Sequence, residues 1–167
     1  MKKLLALFVI VLGFTAVSFG QATATASASG TIVSAMTLTK TGDLNFGNIA
    51  STTGGTVTVA PSGGATYGTG AAVYAVPGTI TPAHFNVTGS PSATYSISAI
   101  APITVVNAAG DDMTVTAFTT DPALLLGKLG TDGKQTINVG ATLTLDATPV
   151  PGLYTSTTGF SVTVNYN

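Results

Sequence analysis

The chain contains no Cys, no Trp, no Arg and no Glu. Without Cys there is no disulfide, no thiol nucleophile and no residue to carry a lipoprotein lipid, and a zinc site would lack its usual thiolates. Charge of either sign is scarce: five Lys and six Asp, with one His, among 167 residues. No basic patch can be assembled from so few cations, which excludes nucleic acid as a partner. The missing Glu and Arg are also two of the better helix formers. Thr, Val, Ser and Gly fill the chain instead, and β-branched side chains suit a pleated surface.

Residues 1–20 form a segment of their own. Lys2 and Lys3 open it, Leu4 to Val11 is apolar, and Ser18-Phe19-Gly20 supplies the small residues that a signal peptidase reads. This predicts a cleaved secretory signal peptide ending before Gln21. Its apolar stretch, about 16 residues, falls short of the ~20 that a spanning helix needs. No second long apolar run follows, so no transmembrane anchor is expected in the mature chain. Residues 21–167 are expected to be one secreted domain, in the periplasm or at the cell surface. They carry three Lys against six Asp, a net charge of about −3.

That domain reads as short alternating runs separated by Gly, Pro, Asn or Asp. Ala22 to Ser29 alternates Ala with Thr or Ser. Pro61 to Gly70 reads as a loop, and Ala71 to Val76 as a strand buried on both faces. The cleanest alternation is Gln135 to Ala147, with Ile137, Val139, Ala141, Leu143 and Leu145 on one parity. Gly140 sits within it, as a bulge, a bend, or a passage between sheets. The chain ends on Phe160, Val162, Val164 and Tyr166 alternating with Ser161, Thr163, Asn165 and Asn167. A strand that runs to a terminus is tied into a sheet, since free ends fray. These runs predict an all-β fold of about eight to ten strands in two packed antiparallel sheets.

Catalytic groups are hard to find. His84 falls on a wet strand parity with no acidic neighbour in sequence, which reads as a surface residue and not a base. No Gly-x-Ser-x-Gly elbow occurs, and the glycines from Gly63 to Gly70 lack the Lys of a phosphate loop. Asp111 and Asp112 are the only adjacent acids; with Asn107 they are weak calcium candidates, and a polar hairpin tip is the plainer reading. Tyr67 and Tyr74 are the aromatics freest to meet a glycan. The expectation is a protein that is not an enzyme and holds no cofactor.

Leu44-Asn-Phe-Gly47, Phe85-Asn-Val-Thr-Gly89, Ala93-Thr-Tyr-Ser-Ile97, Asn138-Val-Gly-Ala-Thr-Leu143 and Pro151-Gly-Leu-Tyr154, followed by Val162-Thr-Val-Asn-Tyr166, together resemble a family of small secreted bacterial proteins, number forty-four-oh-two in the domain-of-unknown-function series. The ending is also similar to spore coat protein U and the archaic chaperone–usher pilins. The pilin resemblance implies an immunoglobulin-like β-sandwich lacking one strand, completed by an extension from a neighbouring subunit. Ala22, Ala24, Ala26 and Ala28 would point into the groove, and Phe160, Val162, Val164 and Tyr166 would edge it. Residues 21–30 are thus either a donor strand or the first strand of a closed sandwich. The function expected is a secreted structural or adhesive surface protein of fimbrial type. Its partners would be itself or another surface subunit, with a periplasmic chaperone. The alternative is a monomeric binding module for a glycan or a protein.

Overall fold

The computed structural model describes residues 20–167. The expected signal peptide, apart from Gly20, lies outside them. Two units are distinguished, ending and beginning at Ile32 and Val33. In the first, residues 20–32 form no strand and are exposed throughout.

The second unit, Val33–Asn167, holds every strand and no helix among the described residues. In chain order the strands are β1 (Thr37–Gly42), β2 (Asn45–Phe46), β3 (Ile49–Ser51), β4 (Gly55–Val59), β5 (Ala65–Tyr67), β6 (Ala71–Val73), β7 (Ile80–Thr81), β8 (Ala83–Thr88), β9 (Thr94–Ile97), β10 (Ile103–Val106), β11 (Asp112–Asp121), β12 (Gly127–Lys128), β13 (Lys134–Leu145) and β14 (Val164–Tyr166). A 7-stranded sheet runs β1-β8-β13-β11-β10, with β4 also on β13 and β5 on β4. A 3-stranded sheet runs β12-β9-β14, and β2-β7 and β3-β6 form small ribbons. All pairings are antiparallel.

The long alternation predicted from sequence is β13, and it organises the large sheet. On one side it pairs with β11. On the other, Lys134–Val139 pair with β8 and Ala141–Leu145 pair with β4. Gly140 sits at the change of partner. A Cβ there would strike the carbonyl of Val59 and the backbone of Ala60 and Pro61. The glycine therefore lets β4 and its turn approach β13 at this point.

The inward parity of β13 serves two core clusters. Ile137 and Val139 join Ala83, Phe85 and Val87 of β8, Tyr95 and Ile97 of β9, and Leu129. Ala141, Leu143 and Leu145 join Val57, Met113 and Val115. The first cluster thus draws side chains from both the large sheet and the 3-stranded sheet. Burying each larger aliphatic contributes about 1.5–3 kcal/mol. β11 reaches both clusters because it carries a bulge between Thr116 and Thr119, with Ala117 at a φ of 48°. The extra residue changes which parity faces inward, from Met113 and Val115 to Phe118. On the opposite face, Thr104, Thr114, Thr144 and Thr56 stand in register across four strands. Thr116, Thr142, Thr58 and Thr66 form a second rank beside them. In these two ranks the wet surface is made of hydroxyls and methyls.

Three expectations need correction. Pro61–Gly70 is not all loop: β5 lies inside it, because Gly63 and Gly64, both at positive φ, turn the chain tightly back along β4. Ala71–Val76 is not buried on both faces. Only Ala71–Val73 form a strand, on short β3, and Val73, Tyr74 and Val76 are exposed. Residues 22–29 alternate without forming a first strand.

Gly140→Val is expected to destabilise the fold by more than about 3 kcal/mol, as overpacking against backbone does at the severe end, measured by urea denaturation. A second expectation concerns Tyr95, which is fully buried and donates its hydroxyl to Gln135 Oε1 at 2.9 Å. Desolvation raises its phenol from 10.0 to about 12. The stability this neutral phenol carries is fully present below pH 10 and is lost as pH rises through about 12. The melting temperature should fall more steeply across that window in the parent than in Tyr95→Phe.

Candidate functional site

The terminal segment keeps the parity seen in its sequence. From Phe160 to Asn167 every even residue is half-buried and every odd one exposed. Phe160, Val162, Val164 and Tyr166 all pack against the first core cluster. Only Val164–Tyr166 is regular strand.

The hydrogen bonds define which way the backbone of this segment points. Ser98 N–H donates to the Thr163 carbonyl at 2.9 Å, and Asn167 N–H donates to the Thr94 carbonyl at 3.2 Å. Residues 163, 165 and 167 therefore turn their backbone groups toward β9. In an antiparallel ladder the alternate residues turn theirs away. Val162, Val164 and Tyr166 thus present N–H and C=O to the opposite edge, where no described strand pairs with β14. No charged residue lies between Phe160 and Asn167, and charge is one of the usual guards on an open edge.

β1 is the end strand of the large sheet and pairs only with β8. Met36, Leu38 and Leu44 pack on the first cluster, half-buried like the even residues of the terminal segment. Seven apolar side chains, three from Met36 to Leu44 and four in the terminal segment, thus pack on the first cluster beside unpaired edges and stop short of full burial. A cavity of about 1000 Å³ lies beside Leu44 and Phe160. Leu44, Phe85 and Phe160 line this cavity, with Met113, Leu143 and Leu145 of the second cluster also reaching it. Phe160 stands at the junction, its ring 4.8 Å from that of Phe118 and 6.1 Å from that of Phe85.

Two polar knots hold the walls. The Tyr166 hydroxyl accepts from Ser90 N–H at 2.7 Å and donates to the Ser34 carbonyl at 2.8 Å. Ser34 N–H in turn donates to Ser90 Oγ at 2.9 Å. These bonds fasten the start of the second unit to the far end of β14. The other knot is Asn107, the one buried polar residue of the described core. Its Oδ1 accepts from Ala109 and Asp111 N–H, both at 2.9 Å. Its Nδ2 donates to Asp111 Oδ2 at 2.8 Å and to the Tyr154 hydroxyl at 3.3 Å. Thr155 also bridges Val106 through two backbone bonds. Residues 149–160, which wall the cavity, are thereby moored to the β10–β11 hairpin. An Asn that begins a Gly-containing turn often bonds its own backbone two residues on, and that was the one sequence signal for this role.

The other candidates are dispersed. Asp111 is engaged by Asn107, while Asp112 opens β11 and is exposed. Among the described residues no group of three or more His, Cys, Asp or Glu stands together to hold a metal. His84 is half-buried, its Nδ1 2.7 Å from Asn138 Oδ1. Tyr67 packs on the second cluster, with its hydroxyl buried and unpartnered. Tyr74 is 52% exposed on the rim of the cavity. Ala22, Ala24, Ala26 and Ala28 are exposed and belong to no strand. No helix of the described residues is long and apolar enough to cross a membrane.

A family model described as Domain of unknown function (DUF4402) matches residues 36–166. The chain belongs to this family. The match starts at Met36, just after the Ser34 tether, and ends at Tyr166, so β1 and β14 both lie within the DUF4402 domain. No curated protein and no solved structure matches the chain.

Asn107→Ala should cost about 1–2 kcal/mol, since it leaves two part-buried backbone donors and the Asp111 carboxylate without their partner. Urea denaturation reads the loss, and amide exchange across residues 149–160 should quicken in the same variant.

Proposed function

We propose that this protein is a secreted, non-enzymatic structural or adhesive surface protein, a fimbrial-type subunit that assembles by accepting an extended strand into the furrow between β1 and β14. The observation that carries this reading is the terminal segment. Its even residues turn apolar side chains toward the core and backbone hydrogen-bonding groups toward an unpaired edge. An added strand would bond to those groups and cover Phe160, Val162 and Val164 in one step. On this reading the two sheets form an immunoglobulin-like, pilin-like sandwich short of one strand. Other surface subunits use the furrow after export, and a periplasmic chaperone shields it before.

The scarcity of charge supports the same reading. With few acids and bases on the chain, main-chain bonds and shape are the means of recognition left. Binding through a sheet edge needs neither a catalytic group nor a metal.

The test is Val164→Pro in the mature chain. Proline removes the outward N–H of residue 164 and leaves the bonds of residues 163 and 167 to β9 intact, and such a residue is tolerated on an edge strand. Sedimentation should show concentration-dependent association in the parent and a folded monomer in the variant. Association unchanged in Val164→Pro would refute strand addition at this edge.

A further inference from the structure

We infer that the cavity beside Leu44 and Phe160 is a binding site for the alkyl chain of a lipid, independently of any strand addition at β14. Native interiors hold few voids larger than a water. This cavity measures about 1000 Å³, at the upper end of the ~300–1,000 Å³ that ligand sites occupy. The residual exposure of the core is concentrated in it. Phe85 is 8% exposed, Met113 5%, Leu143 6% and Leu145 8%, while every other buried apolar residue described is at 2% or less. Those four residues all line the cavity, and so does Val105 of β10. β8, β13, β11 and β10 stand in that order in the large sheet. Three strand spacings separate the first from the last, so the floor extends about 14 Å across the strands.

The floor offers a ligand no polar side chain. Ordered water needs about two to four polar partners, and Phe, Met and Leu supply none. The larger polar side chains around the wall are already engaged in the fold. Asn45 Oδ1 accepts from Gly47 N–H, and Asn48 Nδ2 donates to the Val76 carbonyl, both at 2.8 Å. The Ser51 and Tyr154 hydroxyls donate to the Gly54 and Val150 carbonyls, also at 2.8 Å. Lys40 is the one cation among the described residues of the wall, and Asp43 neutralises it at 2.6 Å. A sugar or a nucleotide would leave its own polar groups unpaired on such a floor. An alkyl chain has none to lose, and a flexible one suits an elongated cavity with Met113 in its floor. Exposed apolar side chains continue this surface outward: Tyr74, Val150 and Leu153 stand on the lips, the last of them 81% exposed. The alkyl chain enters between them, and its polar head stays in water. A free fatty acid and the tail of a membrane lipid share this chemistry.

The protein has no Trp, so an introduced indole reports without background. Leu153→Trp puts one on the lip of the cavity, and Leu125→Trp puts one at a position 73% exposed and away from it. The probe is dibromostearate below its micellar concentration, whose bromines quench an indole only near contact. Quenching should be saturable in Leu153→Trp and absent in Leu125→Trp. Adding Ser156→Phe, which fills the cavity from its wall, should weaken the apparent affinity about tenfold, the equivalent of two or so excluded methylenes. Thermal melts check that this variant is folded; if it is not, the contrast between the two indoles decides alone. Equal quenching of both indoles, or none of either, overturns the site. Val164 does not line the cavity, so adding Val164→Pro should leave the quenching intact. Quenching lost there but kept with Ser156→Phe places the alkyl chain along the open edge and overturns the cavity. Relief of quenching by unlabelled stearate but not by dioctanoyl phosphatidylethanolamine assigns a free fatty acid, and relief by both assigns the tail of a membrane lipid. Relief by neither overturns the proposal.

Discussion

The inward parity of β13 is the constraint on which the rest of the body is built. One strand of twelve residues supplies both core clusters, and its open side serves two neighbours in turn. That arrangement holds only if the chain can change partner without breaking the alternation. Gly140 permits this, because the backbone of Val59 to Pro61 occupies the space a side chain would need. β8 pairs beside one half of β13 and β4 beside the other, and Tyr95 and Ile97 of the 3-stranded sheet pack on the first half.

The terminal segment inherits its position from this core. Phe160, Val162, Val164 and Tyr166 complete the first cluster from the side of the small sheet, yet none reaches full burial. β1 faces the same deficit from the large sheet. In a chain without disulfides, stability rests on packing and sheet bonds, so a row of half-buried apolar residues beside an unpaired edge is costly to leave open. The edge of β1 is treated differently: a register shift between Lys40 and Gly42 and the Lys40–Asp43 ion pair blunt one end of it. The edge of β14 carries no such guard.

Much of this was legible in the sequence, and the reasons are specific. Period two survives in Gln135–Ala147 and Phe160–Asn167 because each has one dry and one wet face, so parity reported burial directly. Gly140 stood out as a glycine on the wet parity of an unbroken strand, but a bulge, a bend or a passage between sheets was expected there, and the structure shows a change of neighbour within one sheet. Other features left weaker traces. The bulge at Ala117 switches parity within one strand, and no residue type marks it, since an alanine at positive φ is uncommon. β5 was hidden because its turn glycines dominate the composition around it. Ala71–Val76 looked buried because it is apolar on both parities, but its pairing partner, β3, is only three residues long. The furrow itself depends on which edges remain unpaired, and strand order is a tertiary fact that no local pattern contains.

The central claim is that the outward backbone groups of β14 are bonded in the assembled protein and free in the monomer. Residue-resolved amide exchange of the mature chain, at dilute and assembling concentrations, tests it most directly. The account predicts strong slowing at Val162, Val164 and Tyr166 on assembly, with little change at Asn165 and Asn167, which already face β9. Slowing confined to other strands, or equal at odd and even residues of the segment, would contradict it.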